Sequence, residues 1–527
     1  MLHRSIALAA ALIGTGGALG CGAESVSNGT GGPAPIEGDV GDDTYSFVEA
    51  PQLDTLPSSL QVDTWKSHLV DDLMPYWLME YARGEPVGNF PTYRNMRGEP
   101  TANSARRPRM LSRQTYAYAM GYALTGDEQL LALAQAGAEW LMTHAPDEAN
   151  GGYHAVLDAS GEGASSECKT AQDAAYVMLG VGAYYFITRD PEAEAFILEG
   201  RDLLFDPDVY WDAENERIRD AVAHDDLSTE IDVNGSCSPD GGWELVAQLD
   251  PINAFMLLTQ PVLSTAERRA QFLSDLRTLS QTMVDDFFED GIFWGLHNVR
   301  ERGTRHVDFG HSLKAYWMVL QIDKRLEDHP FHDLLMAPIP DDSLGRSNLE
   351  RAVQLAYGDG RWRHSPRRGG GANGNPDWWI YAEADQIAAT LSLAGGVYVA
   401  PESGPDLGRT AGNWITDFVD PDGFGEVIPG IRADGSPVYD WPVGDTAKCN
   451  QWKNGYHSIE HAMVMTAISS YLSGEAFELY FAFPEDLVDS ATIKPYFFQG
   501  KVADRTEMGA IAGSSLSKVR ASFVDLF

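Results

Sequence analysis

From Val62 onward, apolar positions recur at helical spacing between polar, glycine-rich connectors. Trp65, Leu69, Leu73, Trp77 and Tyr81 mark a first helix, and Pro75 within it predicts a kink. The same periodicity predicts helices over 110–124, 130–142, 171–187, 243–258, 266–288, 311–326, 349–357, 378–394, 407–418 and 459–472. Thr125-Gly126-Asp127 joins two of them as a stop glycine followed by an N-cap aspartate. Short strand-like pieces with turns fall at 151–158, 290–295 and 422–427. The unit helix, helix, Gly-aromatic hairpin recurs at roughly sixty to seventy residues, a supersecondary repeat. About twelve helices in repeating pairs close naturally into an all-α toroid whose inner ring lines the core. Connectors at one end then build the pocket.

The N-terminus breaks this pattern. His3 and Arg4, the apolar run 6–13 and Ala18-Leu19-Gly20-Cys21 read as an export signal with a lipobox-like cleavage site. On this reading residues 1–20 are a lipoprotein signal peptide and Cys21 carries lipid, giving a cell-envelope, lipid-anchored protein. Residues 21–50, rich in Gly, Ser, Asp and Pro, form a flexible tether. Residues 51–485 form the catalytic barrel and 486–527 a C-terminal extension. The formal net charge of −39 argues against nucleic acid as a partner, and membrane contact is expected through the lipid alone. Of the remaining cysteines, Cys168, Cys237 and Cys449, two are expected to form one disulfide, with the pairing open.

Two histidines stand where a glycine-containing turn meets an apolar helix. One is in Asp308-Phe309-Gly310-His311-Ser312-Leu313-Lys314, the other in Trp452-Lys453-Asn454-Gly455-Tyr456-His457. Side chains at helix starts point toward the connector end, and two imidazoles converging there suit proton transfer near neutral pH. Three further segments carry polar chemistry: Ser112-Arg113-Gln114-Thr115-Tyr116, Asp377-Trp378-Trp379-Ile380-Tyr381-Ala382-Glu383, and Gln248-Leu249-Asp250-Pro251-Ile252-Asn253-Ala254.

In these segments the chain resembles the N-acylglucosamine 2-epimerase family, over most of residues 60–475. Ser112 to Tyr116 is similar to the family's Gly-Arg-Gln-Val-Trp-type segment, and Gly310-His311 to its Gly-His-x-Ile-Glu motif. Trp452-Lys453 with Tyr456-His457 resembles Trp-Lys-x-x-Tyr-His, and Trp378-Trp379 with Ala382-Glu383 resembles Trp-Trp-x-x-Ala-Glu. The resemblance implies an (α/α)6 barrel with short β-hairpin connectors. It also implies a sugar 2-epimerase or aldose–ketose isomerase without metal or organic cofactor. His311 and His457 would be the acid/base pair and Arg113 the active-site arginine. Trp378, Trp379, Glu383, Asp250, Lys314, Trp452 and Tyr456 would contact the mono- or oligosaccharide substrate. Two positions depart from the family: Lys314 stands where it has Glu, and Asp250 with Asn253 where it has His and Glu.

Other readings stay open at this point. Asp250 and Glu383 suit the acid and base of an inverting glycoside hydrolase on a similar barrel. A carbohydrate-binding lipoprotein without catalysis would keep the same wall. Asp250, ahead of a proline, also suits a helix N-cap, and one of the two tryptophans is expected to be core. His457-Ser458-Ile459-Glu460-His461 fits an inverted zinc-peptidase pattern, but little chain follows to supply a third ligand. Arginines gather at 106, 107 and 109, at 300, 302 and 305, and at 361, 363, 367 and 368, the last group running into Gly369-Gly370-Gly371 as a possible lid. If they converge, an anionic sugar is favoured.

Overall fold

A computed structural model describes residues 46–48, 56–164, 168–229, 243–297, 305–366, 372–374, 377–393, 397–399, 406–432, 436–439 and 447–527. The export signal, Cys21, the tether to residue 45, Cys237, Arg300, Arg302, Arg367, Arg368 and Gly369 to Gly371 lie outside these residues.

Twelve main helices alternate between two rings among the described residues. The outer ring comprises α1 (Val62–Ser67, continued by Met74–Trp77), α3 (Glu128–His144), α5 (Pro191–Leu204), α7 (Ala266–Thr282), α9 (Asn348–Ala356) and α11 (Leu407–Asn413). The inner ring comprises α2 (Pro108–Thr125), α4 (Ala171–Thr188), α6 (Leu245–Pro251, continued by Leu257–Thr259), α8 (Phe309–Asp323), α10 (Trp378–Ser392) and α12 (Tyr456–Ser473). Successive inner helices pack side by side, and α12 returns to α2, closing an (α/α)6 barrel. Sequence explains the sorting. Inner helices are apolar or small on all sides, so α8 and α10 are buried along their whole length. Outer helices such as α7 bury one stripe, Phe272, Leu276 and Leu279.

The observed ends agree with the periodicities to within a few residues, and one helix was not foreseen. Helix α5 opens on Asp190, whose carboxylate accepts from Glu192 and Ala193 N–H, with Pro191 at the first helical position. Pro75 and Pro251 each sit beside a π-helical turn, His68–Leu73 and Ile252–Met256, where a missing N–H is accommodated. The 290–295 piece is a two-residue-per-strand hairpin, Phe288–Glu289 with Ile292–Phe293. By contrast, 151–158 and 422–427 are turns with isolated bridges at Tyr153, Leu157 and Val427. Two of these connectors are tied alike. Lys169 Nζ donates to Asp147 Oδ2 at 2.7 Å and to Gly151 O, as Lys448 Nζ does to Asp420 Oδ2 at 2.7 Å and to Gly425 O.

The C-terminal part is a three-stranded antiparallel sheet of β1 (Phe477–Pro484), β2 (Lys501–Ala510) and β3 (Leu516–Val524), with β3 central. Its first strand falls inside the segment assigned to the barrel, so the change of architecture comes just after α12. The sheet covers the ends of the inner helices away from the connectors. Tyr122 OH donates to Phe481 O at 2.9 Å, and Phe481 packs 5.7 Å from Phe186. Cys168 is disulfide-bonded, and Cys449 is free and buried. No helix among the described residues is long and apolar enough to cross a membrane.

Candidate active site

The starts of the inner helices converge at the connector end. At α8, Asp308 is the N-cap: Oδ1 accepts the His311 backbone N–H at 2.7 Å, and Oδ2 lies 2.7 Å from His311 Nδ1. A carboxylate only accepts, so in the neutral ring the proton sits on Nδ1 and Nε2 keeps the lone pair. Burial alone would raise Asp308, but His311 holds its carboxyl below the usual range. The His306 ring lies 4.9 Å from that of His311, with its Nε2 3.5 Å from Glu244.

His457 repeats the arrangement from the opposite side of the sequence. Its Nδ1 lies 3.2 Å from Glu383 Oε1, and the same oxygen lies 3.2 Å from Lys314 Nζ. Gln386 donates to the other oxygen at 3.0 Å. Burial would raise Glu383, yet Lys314 and His457 hold it low; Lys314 is raised against its own burial by Glu383. Burial, opposed by Glu383 and reinforced by Lys314, pushes His457 down to about 3, so the ring is neutral at physiological pH. One turn deeper, burial and the charge of Glu383 push Glu460 up to about 8. Lys314 is therefore not the partner of His311; it neutralises the carboxylate behind His457.

Trp379 stands between the two histidines, with ring centroids 4.8 Å from His311 and 5.8 Å from His457. Trp378 lies farther from His457, at 6.4 Å, under the Lys453 ammonium. Both tryptophans are buried, and Trp379 is the one whose ring packs on both histidines. A side chain at Gly310 would strike the Trp379 ring, which explains the glycine ahead of His311. Arg113 Nη1 donates to Trp452 O at 3.4 Å, and the guanidinium lies 4.0 Å above the Tyr176 ring. Trp452 is half-buried at the rim beside Arg109.

Asp250 is not an N-cap. It lies inside α6, where Gln172 Nε2 and Tyr176 OH donate to its two oxygens at 2.7 and 3.0 Å. Asn253 and Tyr456 OH exchange hydrogen bonds at 2.8 and 3.0 Å. Tyr456 and Glu383, assigned above to sugar contact, have no exposed surface and form the floor; His311 and His457 keep 5% and 4% exposure.

The zinc-peptidase pattern does not assemble. His461 Nε2 points to Asp385 Oδ2 at 3.1 Å and its ring packs on Trp65 and Trp414. Two other groups do bring ligand atoms within 4.8 Å of one another, Glu383/His457/Glu460 and Asp147/His154/His224. In each, a lysine ammonium, Lys314 or Lys169, already supplies the positive charge. Of the six described residues in the arginine clusters, three pair with acids: Arg109 with Asp173 at 3.1 Å, Arg305 with Glu244 at 2.9 Å and Arg361 with Asp417 at 2.7 Å. Asp308, Glu244, His306, Glu460 and Tyr496 were not foreseen as site residues. The Asp-x-x-His spacing ahead of α8 signalled Asp308; the others meet only through the fold.

The structure is a closed (α/α)6 barrel whose inner helices bring two imidazoles, each beside a carboxylate, around one indole. Residues 88–230 match the model of the N-acylglucosamine 2-epimerase family. The fold is similar to that of a sugar epimerase from a ruminal bacterium: TM-score 0.62, 18% identity, 77% of this chain and 98% of that one. It is equally similar to cellobiose 2-epimerase from Spirochaeta thermophila (TM-score 0.62, 18% identity, 78% and 96%). D-mannose isomerase gives a TM-score of 0.61 at 16% identity over 78% and 99%. No curated protein matches by sequence. The family match spans residues 88–230, and the solved structures, at 16–18% identity, share the fold.

Proposed function

We propose that this protein is a sugar 2-epimerase or aldose–ketose isomerase. The observation that carries the reading is the pair His311 and His457, each backed by a carboxylate through Nδ1 and both packed on Trp379. An open-chain sugar lies against Trp379. One imidazole Nε2 removes the C2 proton, leaving an enediolate; the other histidine, protonated, returns a proton to the opposite face of C2, or to C1 in the isomerisation, where the O2 hydroxyl proton passes to O1. Asp308 and Glu383 stabilise the imidazolium each ring becomes. Arg113, with Lys314 behind it, supplies positive potential for the enediolate oxygen. The chemistry calls for no cofactor.

Arg109, Arg305 and Arg361 are paired with acids and so carry no preference for an anionic sugar. The hydrolase reading is weaker for a similar reason: Asp250 is held by Gln172 and Tyr176, and Glu383 by Lys314 and Gln386. The export signal and the oxidised state of Cys168 support an exported, lipid-anchored protein. The test is incubation with reducing mono- and disaccharides in heavy water, followed by NMR. Deuterium entering at C2 or C1 supports the reading. Shortened chains without C–H exchange would establish the hydrolase, and binding without turnover a carbohydrate-binding module.

A further inference from the structure

The floor beneath the two histidines is built partly from outside the barrel. Tyr496, in the link between β1 and β2, is fully buried and holds a left-handed backbone at φ 60°. Its hydroxyl lies 2.7 Å from Tyr116 OH and donates to Glu460 Oε1 at 2.9 Å. Tyr456 OH lies 3.3 Å from the same oxygen and shares its single proton between it and Asn253 Oδ1. Glu460 Oε2 is buried and has no hydrogen-bond partner among the described residues. Glu460 and Glu383 bring oxygens within 4.8 Å of each other and of a ring nitrogen of His457.

We propose that the C-terminal segment is a working part of the site: Tyr496, with Tyr116 and Tyr456, fixes Glu460 as a neutral positioning residue behind Glu383 and His457. The argument is charge balance. Every inner helix presents a titratable or charged group to this floor: Tyr116 and Arg113 from α2, Tyr176 from α4, Asp250 from α6, Lys314 from α8, Glu383 from α10, Tyr456 and His457 from α12. Lys314 is within ion-pair distance of Glu383, at 3.2 Å. A second carboxylate beside that pair would repel Glu383 and carry a bare buried oxygen. A proton on Oε2 removes the repulsion and the buried charge. Lys314 then stays on Glu383, and Glu383 stays aimed at His457 Nδ1. Ionised, Glu460 competes for the Lys314 ammonium and pulls that alignment apart.

The kinetic part of this proposal rests on the epimerase or isomerase reading; the protonation of Glu460 does not. Infrared spectroscopy of the intact protein at pH 7 should show the C=O band of a protonated, buried carboxyl. The band should disappear as pH is raised past about 8 and be missing in Glu460→Gln. With a sugar that turns over, Tyr496→Phe should lower kcat about 10- to 100-fold through misalignment, with KM within about twofold. In Glu460→Gln the fall in kcat above pH 8 should be lost. A wild-type spectrum without that band, or one in which Glu460→Gln leaves it in place, overturns the proposal. So does a Tyr496→Phe variant with wild-type kcat. If the band behaves as stated and no sugar turns over, the functional reading fails while the placement of Glu460 stands.

Discussion

Replacing Lys314 by methionine tests the electrostatics of the site most sharply. The ammonium is 3% exposed, 3.2 Å from a carboxylate with no exposure, and is the one cation ion-paired with Glu383 among the described residues. Methionine fills most of the volume but leaves Glu383 without its counter-ion. Removing one partner of a buried pair costs about 3–5 kcal/mol, because the remaining charge is uncompensated. The pH dependence follows from the sign. Glu383 is held below its ordinary value of 4.5, so the stability from its pairing is present above that value. It is lost as pH falls through the folded value. In Lys314→Met, Glu383 rises, so the penalty is full at pH 7 and shrinks toward pH 4, where the carboxyl protonates in both states. Urea unfolding at both pH values measures it. The double variant Lys314→Met/Glu383→Gln removes both charges and should recover most of the loss. A Lys314→Met loss below about 1 kcal/mol at pH 7, or one that does not shrink on acidification, would refute the ion-pair reasoning.

Three further outcomes are expected. Asp308→Asn keeps a capping side chain, so melting should change little, but an amide does not force the proton onto Nδ1. Turnover should therefore fall about 100-fold or more at unchanged fold, measured by steady-state kinetics and circular dichroism. Trp379→Ala should raise KM by a few-fold to about tenfold, the scale of one aromatic contact, whereas Trp378→Phe should show mainly as lost thermal stability. His457, neutral down to about pH 3 when folded and protonated near 6.5 when unfolded, makes stability rise with pH across that window. His457→Asn should flatten the pH dependence of unfolding there by at most about 1.4 kcal/mol per pH unit.

The barrel was legible because helices recur in pairs with Gly-aromatic connectors at a period of about sixty to seventy residues, and because four motifs resemble one family in order. Helix α5 escaped because its periodic residues, Ala193, Phe196, Ile197 and Gly200, are diluted by glutamates. The two histidines were legible from local grammar, a turn followed by a helix start, and that grammar also contains Asp308. What Lys314 does was not legible. It stands where the family has Glu, three residues after His311, but the side chain reaches across to α10 and serves His457. Asp250 beside a proline looked like a cap because a π-helical turn, which keeps the helix going past Pro251, leaves no periodic mark. Glu460 and Tyr496 meet 36 positions apart, after the chain has left the barrel and returned beneath it.

The central claim is that two histidines divide one proton transfer at C2. It is tested most directly by following C2–H exchange with deuterated solvent and net sugar conversion together, in the wild type, His311→Asn and His457→Asn. Conversion should fall about 10²- to 10⁴-fold in both variants. Exchange should survive in the one whose remaining histidine is the base that first removes the proton. Unchanged conversion in either variant, or conversion in the wild type with no deuterium entering the sugar, would contradict the two-histidine mechanism.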